Sequence, residues 1–310
     1  MINLPDLKLY KQKLIAEGAS FPLSIVPSRK DGLLKILPPP KNGREGWPWT
    51  IETSPLNYDI NINWPKVTIV TPSYNQGEFI EETIRAVLLQ NYPNLEYIIV
   101  DGGSTDNTTE ILKKYAPWFS YWKSERDGGQ SNAINQGFSL GSGDYNAWIN
   151  SDDYYMKDVF HLVVSTFLKS KVQFIYGYAI NYDEPLKKHD IVAIPPFLDL
   201  FIRIPSLVQP SCFWASSIHQ PLWEDLNCSL DYELWLRLVK GVKRKLLKTP
   251  LATARSHEDA KTFDPSMKKK WEEDHLLICS PEAHGSVPTW NYLIFMNRVY
   301  KKVLNLIKYQ

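Results

Sequence analysis

The sequence predicts an α/β fold with a mostly parallel central sheet flanked by helices. Short runs of β-branched and apolar residues, typical of buried strands, alternate with segments whose apolar residues recur at helical spacing. Strands separated by helices are joined by crossovers, which favour parallel pairing. The chain has 310 residues, of which 44% are hydrophobic and 22% charged, so it can bury a core of ordinary size.

The regular pattern begins at residue 66. Before it, residues 1–63 are expected to form an irregular arm packed on the main body, because the stretch 36–55 is rich in Pro and Gly and has no steady period. Trp47 and Trp49 are expected to anchor this arm. The predicted strands are 66–71, 96–101, 119–125, 145–150 and 173–179, and the predicted helices are 78–90, 128–138 and 158–170, with another beginning near Thr108.

Charge and cysteine content exclude several classes of protein. The net charge is +1, from 35 basic and 34 acidic residues, so no overall field attracts nucleic acid and we expect no nucleic-acid partner. The three cysteines have no metal-binding spacing and are expected to be reduced thiols. The first residues lack the order of a signal peptide, and no apolar run approaches the ~20 residues that span a bilayer. We therefore expect a cytoplasmic protein.

Polar residues stand at the ends of the predicted strands: Thr71, Asp101, Glu125 and the pair Asp152–Asp153. In parallel sheets, ligands bind at the carboxyl ends of strands. Neither a P-loop nor a dinucleotide-binding glycine motif is present, so a bound diphosphate would need a divalent cation held by carboxylates, with Mg²⁺ or Mn²⁺ preferred. The acidic pair taken alone is equally typical of a helix N-cap.

Four ordered segments, 67–108, 124–138, 148–155 and 230–238, closely resemble the family 2 glycosyltransferases of the GT-A fold. The resemblance implies a GT-A type nucleotide-diphospho-sugar transferase fold. It also implies an inverting hexosyltransferase that uses Mn²⁺ or Mg²⁺ and moves a sugar from a nucleotide-sugar donor, expected to be a UDP-sugar. The expected acceptor is a hydroxyl of a glycan or of a lipid-linked saccharide.

On this resemblance, the catalytic domain spans 64–289, with a nucleotide-binding half at 64–155 and an acceptor half at 156–289. The implied nucleotide-binding residues are Thr71, Pro72, Tyr74, Asp101, Arg126, Asp127 and Asp152. Asp153 is implied as the metal ligand, with His257 as a second candidate. The family motif is often D-x-D, and Ser at position 151 departs from it, which suggests a single direct metal carboxylate from this loop.

The resemblance implies Asp231 as the general base. An acceptor hydroxyl is a weak nucleophile, so a carboxylate must take its proton as the new bond forms. The alternative for Asp231 is a helix N-cap, and Glu233 is expected to be structural. Gln209 and Ser211 are placed on the acceptor side, and the role of Lys261 is left open. His189, His219, His275 and His284 show no ligand spacing and are interpreted as structural.

Two other functions compete with this hypothesis. A glycoside hydrolase would also use two carboxylates, but would need neither nucleotide nor metal. A non-catalytic protein that binds nucleotide-sugars or glycans would not need Asp231. Finally, residues 290–310 are expected to form a basic amphipathic helix, which either contacts the inner face of the membrane peripherally or packs on the domain or at a dimer interface.

Overall fold

The computed structural model describes residues 2–40, 43–194, 207–258, 260–261 and 264–284, and six further positions between 295 and 303. Apart from those six positions, the predicted C-terminal amphipathic helix lies outside the described residues, and its membrane contact stays a prediction. Within the described part of the chain, no helix is long and apolar enough to cross a bilayer.

The described residues form nine strands and eight α-helices. The strands are β1 (Val67–Ser73), β2 (Leu95–Asp101), β3 (Tyr121–Ser124), β4 (Tyr145–Trp148), β5 (Tyr154–Tyr155), β6 (Phe174–Asp183), β7 (Lys188–Val192), β8 (Cys212–Ala215) and β9 (Arg244–Ser256). The helices are α1 (Leu7–Ala16), α2 (Ile80–Leu88), α3 (Thr108–Tyr115), α4 (Gln130–Leu140), α5 (Val159–Ser170), α6 (Leu230–Leu238), α7 (Lys268–Ile278) and α8 (Pro281–His284).

The strands form one mixed sheet in the order β3-β2-β1-β4-β8-β6-β9-β5, with β7 beside β6. Strands β1 to β4 pair in parallel, and β8 runs antiparallel between β4 and β6. Because β9 is parallel to β6, the strands β1, β2, β3, β4, β6 and β9 all point the same way. The predicted mostly parallel sheet is confirmed, and the carboxyl ends of these six strands share one edge.

The central strands are apolar because both of their faces are covered. All seven residues of β1 and all seven of β2 are buried, as expected for parallel strands between helical layers. The apolar stripe of α2, formed by Ile80, Ile84 and Val87, is fully buried against the sheet. The run of β-branched residues and the helical spacing that predicted these elements therefore reflect burial.

The N-terminal arm contains a helix that the sequence did not predict. Helix α1 is capped by Asp6, whose carboxylate accepts a hydrogen bond from Lys8 N at 2.9 Å. Only Leu14 of this helix is buried, so the helix has no apolar stripe that periodicity could detect. The phenol of Tyr10 donates to Glu224 at 2.8 Å, which ties α1 to the segment between β8 and α6.

The rest of the arm is held by a buried guanidinium on α2. Arg85 is fully buried and donates to the carbonyl oxygens of Pro38, Pro48 and Trp49 at 2.8, 3.0 and 2.9 Å. Trp47 donates from its indole nitrogen to Tyr155 O at 2.8 Å. A buried charge needs such a complete set of acceptors, so the arm and α2 depend on each other.

Candidate active site

Asp101 ends β2 and lies in register with Ser73 of β1 and Ser124 of β3. Its carboxylate is fully buried and accepts hydrogen bonds from Ser104 N at 2.9 Å, Ser104 Oγ at 2.5 Å and Ser124 Oγ at 2.6 Å. The family resemblance implies Asp101 as a nucleotide-binding residue, and this role stays a prediction. In the structure its carboxylate orders the turn after β2, which in turn shapes the neighbouring surface.

Three predicted nucleotide-binding residues do meet at that surface. A Cβ atom added to Gly102 would lie 3.3 Å from the Asp127 carboxylate and 3.4 Å from the ring of Tyr74, which is 60% exposed. Arg126 is adjacent and exposed. Asp127 accepts a hydrogen bond from Gly129 N at 2.7 Å, while burial, with a contribution from Asp101, raises its pKa. The glycine allows the Tyr74 ring and the Asp127 carboxylate to lie close to the main chain, since a Cβ atom here would be in tight contact with both.

Thr71 and Pro72 do not present side chains to that surface. Both are buried, and the Thr71 hydroxyl shares a hydrogen bond with the Tyr97 hydroxyl at 3.3 Å in the core. Any contact of Thr71 or Pro72 with a nucleotide would therefore be made by the main chain, and their binding role stays a prediction. Strand β1 continues to Ser73, whose buried Oγ has no hydrogen-bond partner among the described residues. Sequence reasoning ended the strand at residue 71 and so missed this hydroxyl at the strand end.

The acidic pair lies in the turn between β4 and β5, so the alternative that it caps a helix is wrong. Asp153 points inward and is 6% exposed, and its Oδ1 accepts a hydrogen bond from Arg255 N at 2.9 Å. Its main-chain carbonyl accepts from Thr83 Oγ1 at 2.6 Å. Burial, followed by the charge of Asp152, raises the pKa of Asp153 well above its usual range. Asp153 therefore braces the turn.

Asp152 is the member of the pair that faces the site. Its Oδ2 lies 3.1 Å from Nε2 of His257, and the His257 ring packs against Phe79 with centroids 4.5 Å apart. The imidazole is 6% exposed, and its Nδ1 has no partner among the described residues. The sequence placed the metal on Asp153, whereas the geometry brings Asp152 to His257.

This pair fits a hard divalent cation. The described part of the chain has no group of three or more His, Cys, Asp and Glu side chains that could enclose a metal. Mg²⁺, and Mn²⁺ in similar sites, is usually held by one or two protein groups and completed by substrate phosphates and water. One carboxylate and one imidazole are such a set, and the single carboxylate agrees with the departure from D-x-D.

Asp231 is the second residue of α6, and Ser229 occupies the N-cap position, so the cap interpretation of Asp231 is wrong. Its carboxylate accepts no side-chain hydrogen bond from the described residues. Burial raises the pKa of Asp231, opposed by its own backbone N–H and that of Tyr232. A carboxylate with a raised pKa and no side-chain partner among the described residues can accept a proton.

Helix α6 is docked on the end of β4 by two tryptophans. Trp235, one turn after Asp231, stacks on Trp148, the last residue of β4, with centroids 5.5 Å apart and planes at 16°. Asp152 follows Trp148 by one short turn. The stack therefore places the Asp231 helix beside the acidic turn.

The loop that leads into α6 is organised by Asp274 of α7. Asp274 is fully buried and accepts hydrogen bonds from the backbone N–H groups of Asn227, Cys228 and Ser229 at 2.6–3.1 Å. These three groups precede the first turn of α6. Asp274 therefore fixes the loop from which α6, the helix that carries Asp231, begins.

Asp274→Ala is expected to lower the free energy of unfolding by at least about 1–3 kcal/mol, because it leaves buried N–H donors without an acceptor. Urea denaturation followed by circular dichroism measures this. Asp225→Ala is the matched control, since Asp225 is exposed and accepts a hydrogen bond from the Trp223 indole. Equal losses in the two variants would contradict the assigned role.

The acceptor-side predictions divide. Ser211 is fully buried and its hydroxyl donates to Tyr178 O at 2.8 Å, so this hydroxyl is engaged in the core and its predicted acceptor role stays a prediction. Gln209 donates to Trp148 O at 2.8 Å, while its buried Oε1 has no partner among the described residues, and its role stays a prediction. Glu233 is structural as expected: it pairs with Arg237 at 2.7 Å and with His284 at 3.1 Å.

Comparison with protein families identifies the central part of this site. Residues 68–214 match the model described as "Glycosyl transferase family 2". This part of the chain is therefore a match to a family 2 glycosyltransferase domain. The matched segment includes the turn after β2 and the acidic turn but ends before Asp231 and His257.

Relatives of the family 2 domain are also named glycosyltransferases. An uncharacterized glycosyltransferase of Rickettsia felis is 28% identical over 218 residues, which are 64% of this chain and 36% of the relative. One of Rickettsia typhi is 28% identical over 231 residues, covering 70% of this chain and 71% of the relative. The chain thus spans about a third of the length of the Rickettsia felis relative and of a similar one in Rickettsia conorii.

Solved structures share the GT-A fold of the family 2 domain. Staphylococcus aureus TarS, residues 1–349 in complex with UDP-GlcNAc, has a TM-score of 0.52 at 17% identity, covering 68% of this chain and 66% of that one. The mannosyltransferase PcManGT of Pyrobaculum calidifontis, in complex with GDP-Man and Mn²⁺, has a TM-score of 0.50 at 16% identity, covering 95% and 87%. At these identities the likeness concerns the fold.

A chain of polar contacts links the acidic turn to the start of α6. Lys261 donates to Asn227 O at 3.1 Å and to Gln130 Oε1 at 2.9 Å, and Gln130 donates to Asn150 Oδ1 at 2.9 Å. Sequence reasoning did not assign Gln130 or Asn150, and it left Lys261 open. Neutral amides carry no sequence signal of their own, because only the fold brings them to one edge.

Proposed function

We propose that this protein is an inverting hexosyltransferase. In this proposal it moves a sugar from a nucleotide diphosphate donor, with a UDP-sugar as first expectation, to a hydroxyl of a glycan or of a lipid-linked saccharide. The observation that carries the proposal is the placement of two functional groups at the end of β4. The Asp152–His257 pair and the Asp231 carboxylate are each joined to the stacked Trp148–Trp235 pair by a few residues.

The nucleotide would occupy the surface formed by Tyr74, Arg126 and Asp127. The Tyr74 ring offers a face for the base, and the Asp127 carboxylate can accept hydrogen bonds from ribose hydroxyls. Structures of the same fold hold UDP-GlcNAc in one case and GDP-Man in the other. The experiment below therefore compares donors with different nucleotide bases directly.

Asp152 and His257 would hold the divalent cation, and Lys261 stands near them as a donor for phosphate oxygens. Mn²⁺ or Mg²⁺ bound there would neutralise negative charge on the departing diphosphate. Asp153 contributes indirectly, since its contact with Arg255 N sets the shape of the turn that presents Asp152.

Asp231 would act on the acceptor. As the acceptor oxygen bonds to the anomeric carbon, the bond from that carbon to the diphosphate oxygen breaks, and the nucleoside diphosphate leaves with the bonding electrons. The hydroxyl proton passes to the Asp231 carboxylate. A single displacement of this kind inverts the anomeric configuration, and the raised pKa of Asp231 makes it a stronger base than an ordinary aspartate.

A thermal-shift panel of UDP-, dTDP- and GDP-sugars, each with Mn²⁺ and with EDTA, tests the donor. A ligand that binds the native state at 100 times its Kd stabilises it by about 2.7 kcal/mol, so one nucleotide series should raise Tm in Mn²⁺ and lose much of this effect in EDTA. The free monosaccharides are the matched control. A panel in which no nucleotide-sugar shifts Tm contradicts the proposal.

A lipid-linked acceptor would suit peripheral contact between residues 290–310 and the inner face of the membrane, and both belong to this proposal. Co-sedimentation with anionic vesicles, compared between the full chain and a chain ending at residue 289, measures that contact. Equal binding by the two chains contradicts it.

A further inference from the structure

A second cavity lies at the carboxyl ends of β6 and β9, where the β6–β7 hairpin and the N-terminal arm approach α2. Its volume is about 290 Å³, near the lower end of the ~300–1,000 Å³ typical of ligand pockets, which suits one sugar ring. We call it the aromatic cleft, after the Trp, Phe and Tyr rings that line it: Trp49, Phe79, Tyr154 and Tyr182. The imidazole of His189, stacked on Tyr182, also lines it. None of these residues belongs to the nucleotide surface around Tyr74.

The rings surround a guanidinium. The Arg255 guanidinium is 4.9 Å from the ring centroid of Phe79, 5.6 Å from that of Tyr154 and 5.4 Å from that of Tyr182. On the arm side, Arg44 lies over Trp49 at 4.2 Å. Such cation–π contacts hold aromatic side chains in fixed orientations. Rings held in this way are suited to packing against the apolar face of a pyranose.

Carboxylates supply the polar part of the lining. Glu82 and Glu184 each accept a hydrogen bond from Arg255, the first at 2.6 Å, and Glu78 is exposed at the start of α2. Carboxylate oxygens accept more than one hydrogen bond, so those paired with Arg255 can still receive a hydroxyl. Three carboxylates against two guanidinium groups disfavour an anionic ligand, so the chemistry fits an uncharged, hydroxyl-rich ring.

The aromatic cleft shares a wall with the active site. Arg255 donates from its backbone N to Asp153 Oδ1 at 2.9 Å and from Nε to Asp152 O at 3.0 Å. Phe79 lines the cleft and also packs against the His257 ring at 4.5 Å. A ligand in the cleft would therefore lie one side chain away from the Asp152–His257 pair.

We propose that the aromatic cleft binds a neutral saccharide unit of the acceptor glycan, away from the nucleotide and beside the acidic turn. This inference rests on the proposed function for its meaning as an acceptor subsite, but the binding itself can be measured without donor or metal. The nucleotide surface lies at the ends of β1 to β3, and the cleft lies at the ends of β6 and β9, so the two ligands would approach the acidic turn from different parts of the sheet edge.

Saturation-transfer NMR tests the binding, with the methyl glycosides of glucose, mannose and N-acetylglucosamine as probes and glucuronic acid as the anionic comparison. We expect transfer to at least one neutral glycoside and weaker transfer to glucuronic acid. No transfer to any neutral glycoside, or stronger transfer to glucuronic acid, overturns the proposal.

Two aromatic variants locate the site. Tyr182→Ala should weaken glycoside binding about 3- to 10-fold, the size expected for losing one ring contact, and leave nucleotide affinity unchanged. Tyr74→Ala removes an exposed ring at the nucleotide surface and should have the opposite pattern. Tm measured for both variants shows that each is folded. Equal glycoside binding by wild type and Tyr182→Ala overturns the cleft as the site.

The same measurements separate the two proposals. If the glycoside binds in the cleft but no nucleotide-sugar binds the protein, the proposed function fails and the cleft remains a saccharide site. If a nucleotide-sugar binds and no glycoside does, the cleft proposal fails and the proposed function stands.

Discussion

Asp231→Asn is expected to lower the rate of sugar transfer by about 10²–10⁴-fold, the usual contribution of a positioned general base. Affinity for nucleotide and metal should change little, because the substitution is nearly isosteric and the proposed nucleotide and metal contacts are made by other residues. Steady-state kinetics with the donor found in the thermal-shift panel measures this. The loss should appear in kcat, since the interaction is made in the transition state.

The pH profile provides a second reading of the same variant. Burial holds the pKa of Asp231 above its ordinary value of 3.8, and only the deprotonated form accepts a proton. In the wild type, kcat should therefore rise with pH through that raised pKa, and this acid limb should be missing in Asp231→Asn. Because the pKa of Asp231 is higher in the folded state than in the unfolded state, its ionisation lowers the free energy of unfolding as pH rises from the unfolded pKa to the folded one. Asp231→Asn removes this ionisation, so the variant should lose no stability at neutral pH.

Glu233→Gln is the matched control for Asp231→Asn on the same helix. Glu233 is engaged by Arg237 and His284, so this variant should lose stability through the broken pairs and keep the acid limb of the pH profile. If Asp231→Asn instead loses donor binding or stability in parallel with activity, Asp231 is a binding or structural residue.

Asp152→Asn is expected to weaken Mn²⁺-dependent nucleotide binding by at least about 10–100-fold, the range seen when only the outer contacts of a metal site are changed. The reason is that its carboxylate is the exposed member of the acidic pair and lies 3.1 Å from His257. Calorimetry of nucleotide binding with and without Mn²⁺ measures the loss. The variant should bind nucleotide equally in the two conditions.

Asp153→Asn separates this assignment from the one that the sequence alone suggested. An asparagine side-chain oxygen can still accept the hydrogen bond from Arg255 N, so this variant should keep most of its metal-dependent affinity. Its buried charge is removed, and burial already raises the pKa of Asp153, so stability at neutral pH should not fall on that account. If nucleotide binding still depends on metal in Asp152→Asn and no longer does in Asp153→Asn, Asp153 is the residue that holds the metal.

Much of the fold could be predicted because burial requires apolar residues at regular positions along each strand and helix. The residues of β1 and β2 had to be apolar on both faces, and those of α2 had to be apolar on one face, so the sequence predicts where these elements lie. The position of the candidate site at one edge of the sheet could be predicted for a related reason. Parallel strands bring their carboxyl ends together, so polar residues after separate strands had to converge, as Asp101 and the acidic turn do.

Helix α1 shows the limit of that pattern. It is stabilised by the cap at Asp6 and by distant contacts such as Tyr10 with Glu224, and it buries one leucine, so it carried no periodic signal. The aromatic cleft is similar, since its residues come from the arm, α2, β5, β6 and β9. Their proximity exists only after the sheet has assembled.

The sequence by itself determined which chemical groups reach the sheet edge: carboxylates at 152, 153 and 231, an imidazole at 257 and a ring at 74. Only the tertiary structure decided which of them face the site. Asp153 turns inward because a backbone N–H of Arg255, 102 residues away in the sequence, meets its carboxylate. Ser211 turns inward because Tyr178 O accepts its hydroxyl. Adjacent carboxylates look equivalent in a sequence. The tertiary structure distinguishes them, because Asp153 meets a backbone N–H of a distant strand and Asp152 meets the His257 imidazole.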